Sequence, residues 1–61
     1  MRYELDEMDD GYWRWILYDD DNAQIAKSAH WWWKKSDCIE TIELTKKSVD
    51  APIVDYSEVD R

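Results

Sequence analysis

The stretch YWRWILY at residues 12–18 decides the fold of this chain. Aromatic and β-branched residues are typical of a β-strand, and both Gly11 before it and the run DDDN at residues 19–22 after it are turn sequences. Because side chains alternate along a strand, every second residue faces the same side. One face consists of Trp13, Trp15 and Leu17. That face is wholly apolar, so we expect it to carry the core.

Two further strands are predicted on either side of this one. Residues 2–7 alternate polar and apolar side chains, and the Asp-Gly step in the turn at residues 8–11 is a strong hairpin signal. Residues 23–29 form a third and weaker strand, after a turn in which Asn22 tolerates a positive φ. The three strands are therefore expected to form an antiparallel meander.

A helix is predicted from Asp37 to Lys47, with Ser36 as its N-cap. The acid in its first turn and the lysines in its last turn suit the helix dipole. The apolar stripe is predicted at Cys38, Ile39, Ile42, Thr45 and Val49. Leu44 falls on the opposite side of the helix, where it is a candidate dimer contact.

The fold class predicted from these elements is α+β, a β-β-β-α unit with one helix on the tryptophan face of the sheet. Residues 1–56 form the single domain and residues 57–61 a frayed tail. Pro52 restricts residues 50–56 to a short C-terminal edge strand or an extended tail.

Sixty-one residues make a marginal domain, because a chain of this length buries only about 60% of its unfolded surface. A single cysteine, Cys38, excludes an internal disulfide, and one histidine makes a structural zinc site improbable. Packing of the five Trp and four Tyr, together with self-association, is the remaining source of stability. We therefore expect a homodimer.

The net charge of −7, from 15 acids and 8 bases, disfavours direct nucleic-acid binding and favours a basic protein partner. Solubility alone is the other explanation of the acidity. Residues 22–36 differ from the rest of this acidic chain, because they carry three lysines and no acid.

No apolar run reaches the ~20 residues of a membrane span, and the N-terminus lacks a signal-peptide core. With the lone thiol, this predicts a cytoplasmic protein.

Catalysis and cofactors are not expected. An EF-hand loop starting at Asp19 requires Gly at its sixth position and Glu at its twelfth, where this chain has Gln24 and His30. His30 and Cys38 are too few ligands for zinc, and one glycine offers little backbone freedom for an oxyanion hole. We predict no catalytic residue and no metal ligand, with Cys38 a small core residue.

Trp31, Trp32 and Trp33 are consecutive, so they cannot all face one core. One or two of the rings are expected inside, Trp31 first and Trp33 second. At least one ring, with Trp32 as the first candidate, is expected to be partly exposed for partner binding. Covering a neighbour or a dimer seam is the structural alternative for the exposed ring. The candidates for the core or a dimer contact are Trp13, Trp15, Trp31, Trp33 and Leu44.

The chain resembles one repeat of the YegP-like family of small uncharacterised proteins. The similar segments are WRWIL at residues 13–17, IAKS at 25–28, Trp31, Lys34, Ile42 and DAPIVD at 50–55. Asp21-Asn22 replaces the Asn-Gly turn of that repeat. The resemblance implies a β-β-β-α unit that packs against a second copy, and it carries no catalytic residue.

Function is predicted at the acidic turns. The candidate partner-binding residues are Asp9, Asp10, Asp19, Asp20, Asp21 and Trp32. Consecutive hairpin turns lie at opposite ends of a meander, so they form two acidic poles. Carboxylates on a small rigid body can imitate phosphates, as in phage-type inhibitors and many anti-CRISPR proteins, which this chain resembles in size and charge only.

Three functional hypotheses follow. The first is a non-enzymatic inhibitor that occludes a basic nucleic-acid-binding site on a partner. The second is a self-associating structural domain. The third is a single-strand nucleic-acid binder that uses Trp32 with Lys27, Lys34 and Lys35.

Overall fold

A computed structural model describes residues 1–57 and shows three strands followed by one helix. The elements are β1 (Arg2–Glu7), β2 (Trp13–Tyr18), β3 (Gln24–Lys27) and α1 (Lys35–Lys46), with a short 3₁₀ helix at Lys47–Asp50. The strands form one antiparallel sheet in the order β1-β2-β3. The predicted α+β meander is confirmed.

The register of the sheet places its apolar residues in one layer. Leu5 of β1 lies opposite Trp15, and Tyr3 lies opposite Leu17. On the other side of β2, Leu17 lies opposite Ala26. The register of β2 with β3 shifts between Leu17 and Tyr18, and β3 is shorter than the predicted strand at residues 23–29.

The first hairpin loop closes through two backbone hydrogen bonds. The N–H of Met8 donates to the carbonyl of Tyr12 at 2.7 Å, and the N–H of Gly11 donates to the carbonyl of Met8 at 2.8 Å. Gly11 has φ 89°, a conformation that only glycine adopts at no steric cost. The predicted turn at residues 8–11 is therefore present.

The second loop repeats this geometry with an asparagine in place of the glycine. The N–H of Asp19 donates to the carbonyl of Ala23 at 3.0 Å, and the N–H of Asn22 donates to the carbonyl of Asp19 at 3.1 Å. Asn22 has φ 64°, which confirms that the chain uses its tolerance of positive φ. One Asp19 carboxylate oxygen also accepts the N–H groups of Asp21 and Ala23.

The core lies between the sheet and α1. Its buried apolar residues are Trp15, Cys38 and Ile42, and the partly buried residues packed around them are Tyr3, Leu5, Trp13, Leu17, Ala26 and Trp32. The helix therefore covers the Trp13, Trp15 and Leu17 face, as predicted. The indole N–H of Trp15 donates to the Thr41 hydroxyl at 3.1 Å, which in turn donates to the Cys38 carbonyl at 2.7 Å.

The helix begins earlier than predicted. Lys34 occupies the N-cap position without a side-chain cap, so the prediction of Ser36 as N-cap is wrong. Ser36 lies inside the first turn of the helix, because the Lys34 carbonyl already accepts the N–H groups of Asp37 and Cys38. Asp37 in the first turn and Lys46 in the last turn are as predicted.

The buried stripe of the helix is narrower than predicted. Cys38 and Ile42 are buried and Thr45 is half-buried, but Ile39 is 39% exposed. Val49 is 85% exposed, so its place in the stripe is wrong. The physical reason is the change to 3₁₀ geometry after α1, which rotates the following residues away from the core.

Residues 51–57 form neither helix nor strand and are exposed, so of the two predictions for this segment the short edge strand is wrong. Ile53 is 96% exposed. The predicted frayed tail at residues 57–61 lies, beyond Ser57, outside the described residues. Within residues 1–57, no helix has the length and apolarity needed to cross a membrane.

Candidate functional site

The orientation of the three consecutive tryptophans is set by one contact with β2. Trp13 and Trp32 form an isolated antiparallel bridge, with N–H to carbonyl distances of 2.7 and 2.9 Å. Residues directly opposite each other in an antiparallel pair point to the same side of the sheet. Because Trp13 is on the core face, Trp32 also turns toward the core.

The predicted orientations of the three rings are therefore wrong. Trp32 is half-buried and packs against the core, whereas Trp31 is 54% exposed and Trp33 is 65% exposed. The expected alternation is present, but its phase is reversed. The bridge to Trp13 is a long-range contact that local sequence does not reveal.

Trp33 is exposed but held in place. Its ring stacks on Tyr12, with centroids 4.1 Å apart and an angle of 16° between the planes. It also lies over Gly11, where an added Cβ would come 3.3 Å from the indole. The first hairpin loop and the segment before α1 therefore meet at this stacked pair.

Two carboxylates lie in the same loop as this stack. Asp9 and Asp10 are exposed, and neither forms an ion pair within residues 1–57. Asp10 accepts the N–H of Tyr12 at 3.3 Å, which places its carboxylate beside the stacked rings. We call Asp9, Asp10, Tyr12 and Trp33 the first-turn site.

The acids of the second loop are more strongly engaged. The Asp19 carboxylate accepts two loop N–H groups, and Asp20 pairs with the terminal amino group of Met1. A hydrogen bond and the positive charge from that amino group lower the pKa of Asp20. Asp21 is exposed. This loop closes the hairpin of β2 and β3, so it lies at the opposite end of the sheet from the first-turn site.

The lysines of residues 22–36 are all exposed. Lys35 places its ammonium group 5.4 Å from the centre of the Trp13 ring, a cation–π contact. Lys34 directly follows Trp33, so both signs of charge occur near the stacked rings. Leu44 is 61% exposed, as its position on the helix predicted.

Cys38 has the environment of a structural thiol. It is fully buried, and burial raises the pKa of its thiol, which opposes formation of the nucleophilic thiolate. His30 is exposed, and its ring lies edge-to-face with the ring of Trp32, with 6.5 Å between the ring centroids. No three His, Cys, Asp or Glu side chains converge as metal ligands within the described part of the chain.

A shallow cleft of about 440 Å³ is lined by Met1, Arg2, Tyr3, Leu17 and Lys46. Its cations are occupied within the chain. Arg2 pairs with Glu4 at 2.7 Å, and Lys46 lies 3.5 Å from Glu43. The cleft therefore offers less free charge than the first-turn site.

Tyr12 is the site residue that the sequence did not single out. Alternation along residues 12–18 places it on the side opposite Trp13, Trp15 and Leu17, and its role depends on the position of Trp33. The only signal in the sequence is its place next to Gly11, where a small residue admits the indole.

Comparison of the chain with protein-family models, with curated proteins and with solved structures finds no match.

Proposed function

We propose that this protein is a non-enzymatic binding module whose first-turn site takes a basic segment of a partner protein. The observation that carries the proposal is the Tyr12–Trp33 stack, in which a ring that is 65% exposed is fixed beside carboxylates that form no ion pair within residues 1–57. Such a ring loses little conformational freedom on binding, since the stack already orders it. Exposed tryptophans with these properties are common hot spots of protein interfaces.

The chemistry of the site suits an arginine or lysine side chain. A cation can lie over the indole face of Trp33 while a carboxylate of Asp9 or Asp10 pairs with it. The net charge of −7 favours encounter with a basic surface, and the screening of this attraction by salt gives it a measurable signature. A nucleic-acid-binding protein presents such a surface, so occlusion of its groove is the inhibitory activity that we propose.

The test uses two tryptophans as a matched pair. Trp33→Ala removes the stacked ring, and Trp31→Ala removes an exposed ring that makes no ring contact within residues 1–57. Tagged wild-type and variant proteins are used to retain partners from the host lysate at low and at high salt, with mass spectrometry of the bound fraction. We expect a basic protein that wild type and Trp31→Ala retain at low salt, and that Trp33→Ala loses.

Charge is tested separately. Asp9→Lys should abolish most of the retention, whereas Asp21→Lys in the opposite loop, which changes the net charge by the same amount, should leave most of it. Equal loss in both charge variants would show that net charge alone acts, and it would contradict a site at the first turn.

A second candidate is single-strand nucleic-acid binding. It is supported by the exposed Trp31 and by Lys27 and Lys34, which form no ion pair with any residue of the described range 1–57. Titration with an oligothymidine at low salt separates the two functions. Salt-sensitive binding that Trp31→Ala weakens and Asp9→Lys strengthens would favour nucleic acid over a basic protein.

A further inference from the structure

The outer edge of β1 is an open template for another strand. β1 runs for six residues in unbroken register with β2 and contains neither proline nor glycine. The other edge strand, β3, has four residues and a register shift beside it. Short strands and bulges protect an edge from pairing with another chain, and β1 has neither. Its charged side chains, four of six residues, oppose pairing in any register that brings like charges together.

The backbone hydrogen bonds show which residues of β1 face this edge. The N–H of Met8 donates to the carbonyl of Tyr12, and bonded pairs recur at every second residue of an antiparallel ladder. The residues bonded to β2 are therefore Arg2, Glu4 and Asp6. The residues with outward N–H and carbonyl groups are Tyr3, Leu5 and Glu7.

We propose that a second copy of this chain pairs with that edge, β1 against β1 and antiparallel, about a two-fold axis at Glu4. This register places Arg2 of one copy opposite Asp6 of the other, twice. Opposite charges in a directly facing pair stabilise a sheet. Asp6 holds Arg14 through one carboxylate oxygen at 2.8 Å, which leaves its other oxygen for the second copy. Arg2 uses Nε for Glu4 and Nη1 for Asn22, so its Nη2 group is left to donate to Asp6 of the second copy.

The charge pattern selects this register over its neighbours. An axis at Leu5 places Glu4 opposite Asp6 twice, which repels. An axis at Tyr3 pairs opposite charges but shortens the ladder by two residues. With the axis at Glu4, the one like-charge pair is Glu4 against itself, and Tyr3 of each copy faces Leu5 of the other on the helix side.

The product is a six-stranded sheet with both helices on one face. Because the strands run in opposite directions, each end of this sheet carries the first loop of one copy and the second loop of the other. The two acidic poles of a monomer thus become two equivalent acidic ends. The inference does not rest on the proposed function, since its test needs no partner.

Disulfide cross-linking at defined positions tests the register. Side chains of facing residues that are not hydrogen-bonded to each other lie close enough to bridge, and Glu4 faces its own copy in this way. We expect Glu4→Cys to form a covalent dimer under mild oxidation. An equal mixture of Arg2→Cys and Asp6→Cys should form mainly the mixed dimer, with little of either self-linked product.

The wild-type chain is the control, because the fully buried Cys38 should form no cross-link. Lys27→Cys on the β3 edge controls for random collision and should form no covalent dimer. Sedimentation of the wild-type chain provides a measurement that is independent of any variant. A monomer at every concentration, or cross-linking that is as fast at Lys27→Cys as at Glu4→Cys, would overturn the proposal.

The like-charge pair at the axis gives a second readout. Glu4→Gln removes the repulsion, so the dissociation constant measured by sedimentation should fall roughly two- to fivefold. Arg2→Glu places two more like charges in facing positions and should raise the dissociation constant. Unchanged dissociation constants in both variants would place the interface elsewhere and contradict the proposed register.

Discussion

Thr41 supports the buried indole of Trp15. Its hydroxyl accepts the indole N–H at 3.1 Å and donates to the Cys38 carbonyl at 2.7 Å, so a single side chain satisfies polar groups of the sheet and of the helix. Trp15 is buried, and a donor without a partner in such a place costs the free energy of its lost hydration. The apolar contact between sheet and helix therefore includes one hydrogen-bonded link, at Thr41.

Thr41→Val keeps the shape of this residue and removes its hydroxyl. We expect the free energy of unfolding to fall by about 1–3 kcal/mol, because the indole N–H of Trp15 is then left unpaired. Urea unfolding measures the change. Thr45→Val is the matched control, since the Thr45 hydroxyl donates to the Thr41 carbonyl of its own helix and bonds no group of the sheet within residues 1–57. An equal loss in both variants would contradict the role of Thr41.

Cys38 gives the stability a dependence on alkaline pH. Burial raises the pKa of its thiol above the ordinary value, so the folded state favours the neutral form. The corresponding stability is fully present below the pKa of the unfolded thiol, ~8.5, and is lost as the pH rises through the folded pKa. Between about pH 8 and about pH 10, wild type should lose more stability than Cys38→Ala in urea unfolding. Parallel pH profiles of the two proteins would contradict this expectation.

At the scale of elements, α1 binds the sheet through one narrow stripe. Ile42 is buried, whereas Leu44 of the same helix is 61% exposed. The free energy that attaches the helix is therefore concentrated in a few side chains. Leu44 gives the helix an apolar residue on its outer side without adding to the core.

Ile42→Ala should destabilise the fold by about 2–5 kcal/mol, because it removes buried apolar atoms and leaves a cavity. For a domain of this length, that loss approaches the whole free energy of folding. Leu44→Ala, matched in size and in the same helix, should change the free energy of unfolding by less than about 0.5 kcal/mol. Comparable losses in urea unfolding would show that Leu44 is covered in solution.

The elements follow from local patterns more closely than the site does. Alternation along residues 12–18 and the turn sequences on both sides are local signals, so they were sufficient to predict the strands, the loops and the face beneath the helix. The phase of Trp31, Trp32 and Trp33 is not local. It depends on the bridge between Trp13 and Trp32, and the stack of Trp33 on Tyr12 follows from it.

The helix boundary shows the same limit on a smaller scale. Ser36 has the chemistry of an N-cap, but the chain enters the helix at Lys35. Val49 fits the helical period, but the backbone tightens to a 3₁₀ turn before the period reaches it. Local propensity therefore predicts the presence of the helix correctly. Its predicted ends differ from the observed ends by one or two residues. The resemblance to the YegP-like family remains a prediction.

At the scale of the whole molecule, we expect the free energy of folding to be small. Within residues 1–57 the buried apolar side chains are three, Trp15, Cys38 and Ile42, and several large apolar residues beyond α1 are exposed. A chain of this length gains disproportionately from a second copy, since association buries surface that folding alone leaves in water. Pairing at the β1 edge would supply this without disturbing the first-turn site.

Coupling of folding to association has a direct thermal consequence. We expect the midpoint of thermal unfolding to rise when the protein concentration is raised tenfold, because only folded chains associate into the dimer. Arg2→Glu, which adds like charges across the β1 edge, should lower the midpoint and reduce its concentration dependence. A midpoint of wild type that is independent of concentration would contradict dimerisation in this range.

The stack of Trp33 on Tyr12 is also an intrinsic spectroscopic probe. The ring centroids lie 4.1 Å apart with 16° between the ring planes, so the ultraviolet transitions of the two rings couple. A coupled pair held in a chiral arrangement gives a circular dichroism signal in the aromatic region. The exposed indole of Trp33 emits into water, whereas the buried indole of Trp15 is shielded from it. A ligand that covers the stack would therefore change the emission wavelength of Trp33 and the aromatic circular dichroism together. Both signals report on one end of the molecule, and neither needs an added dye.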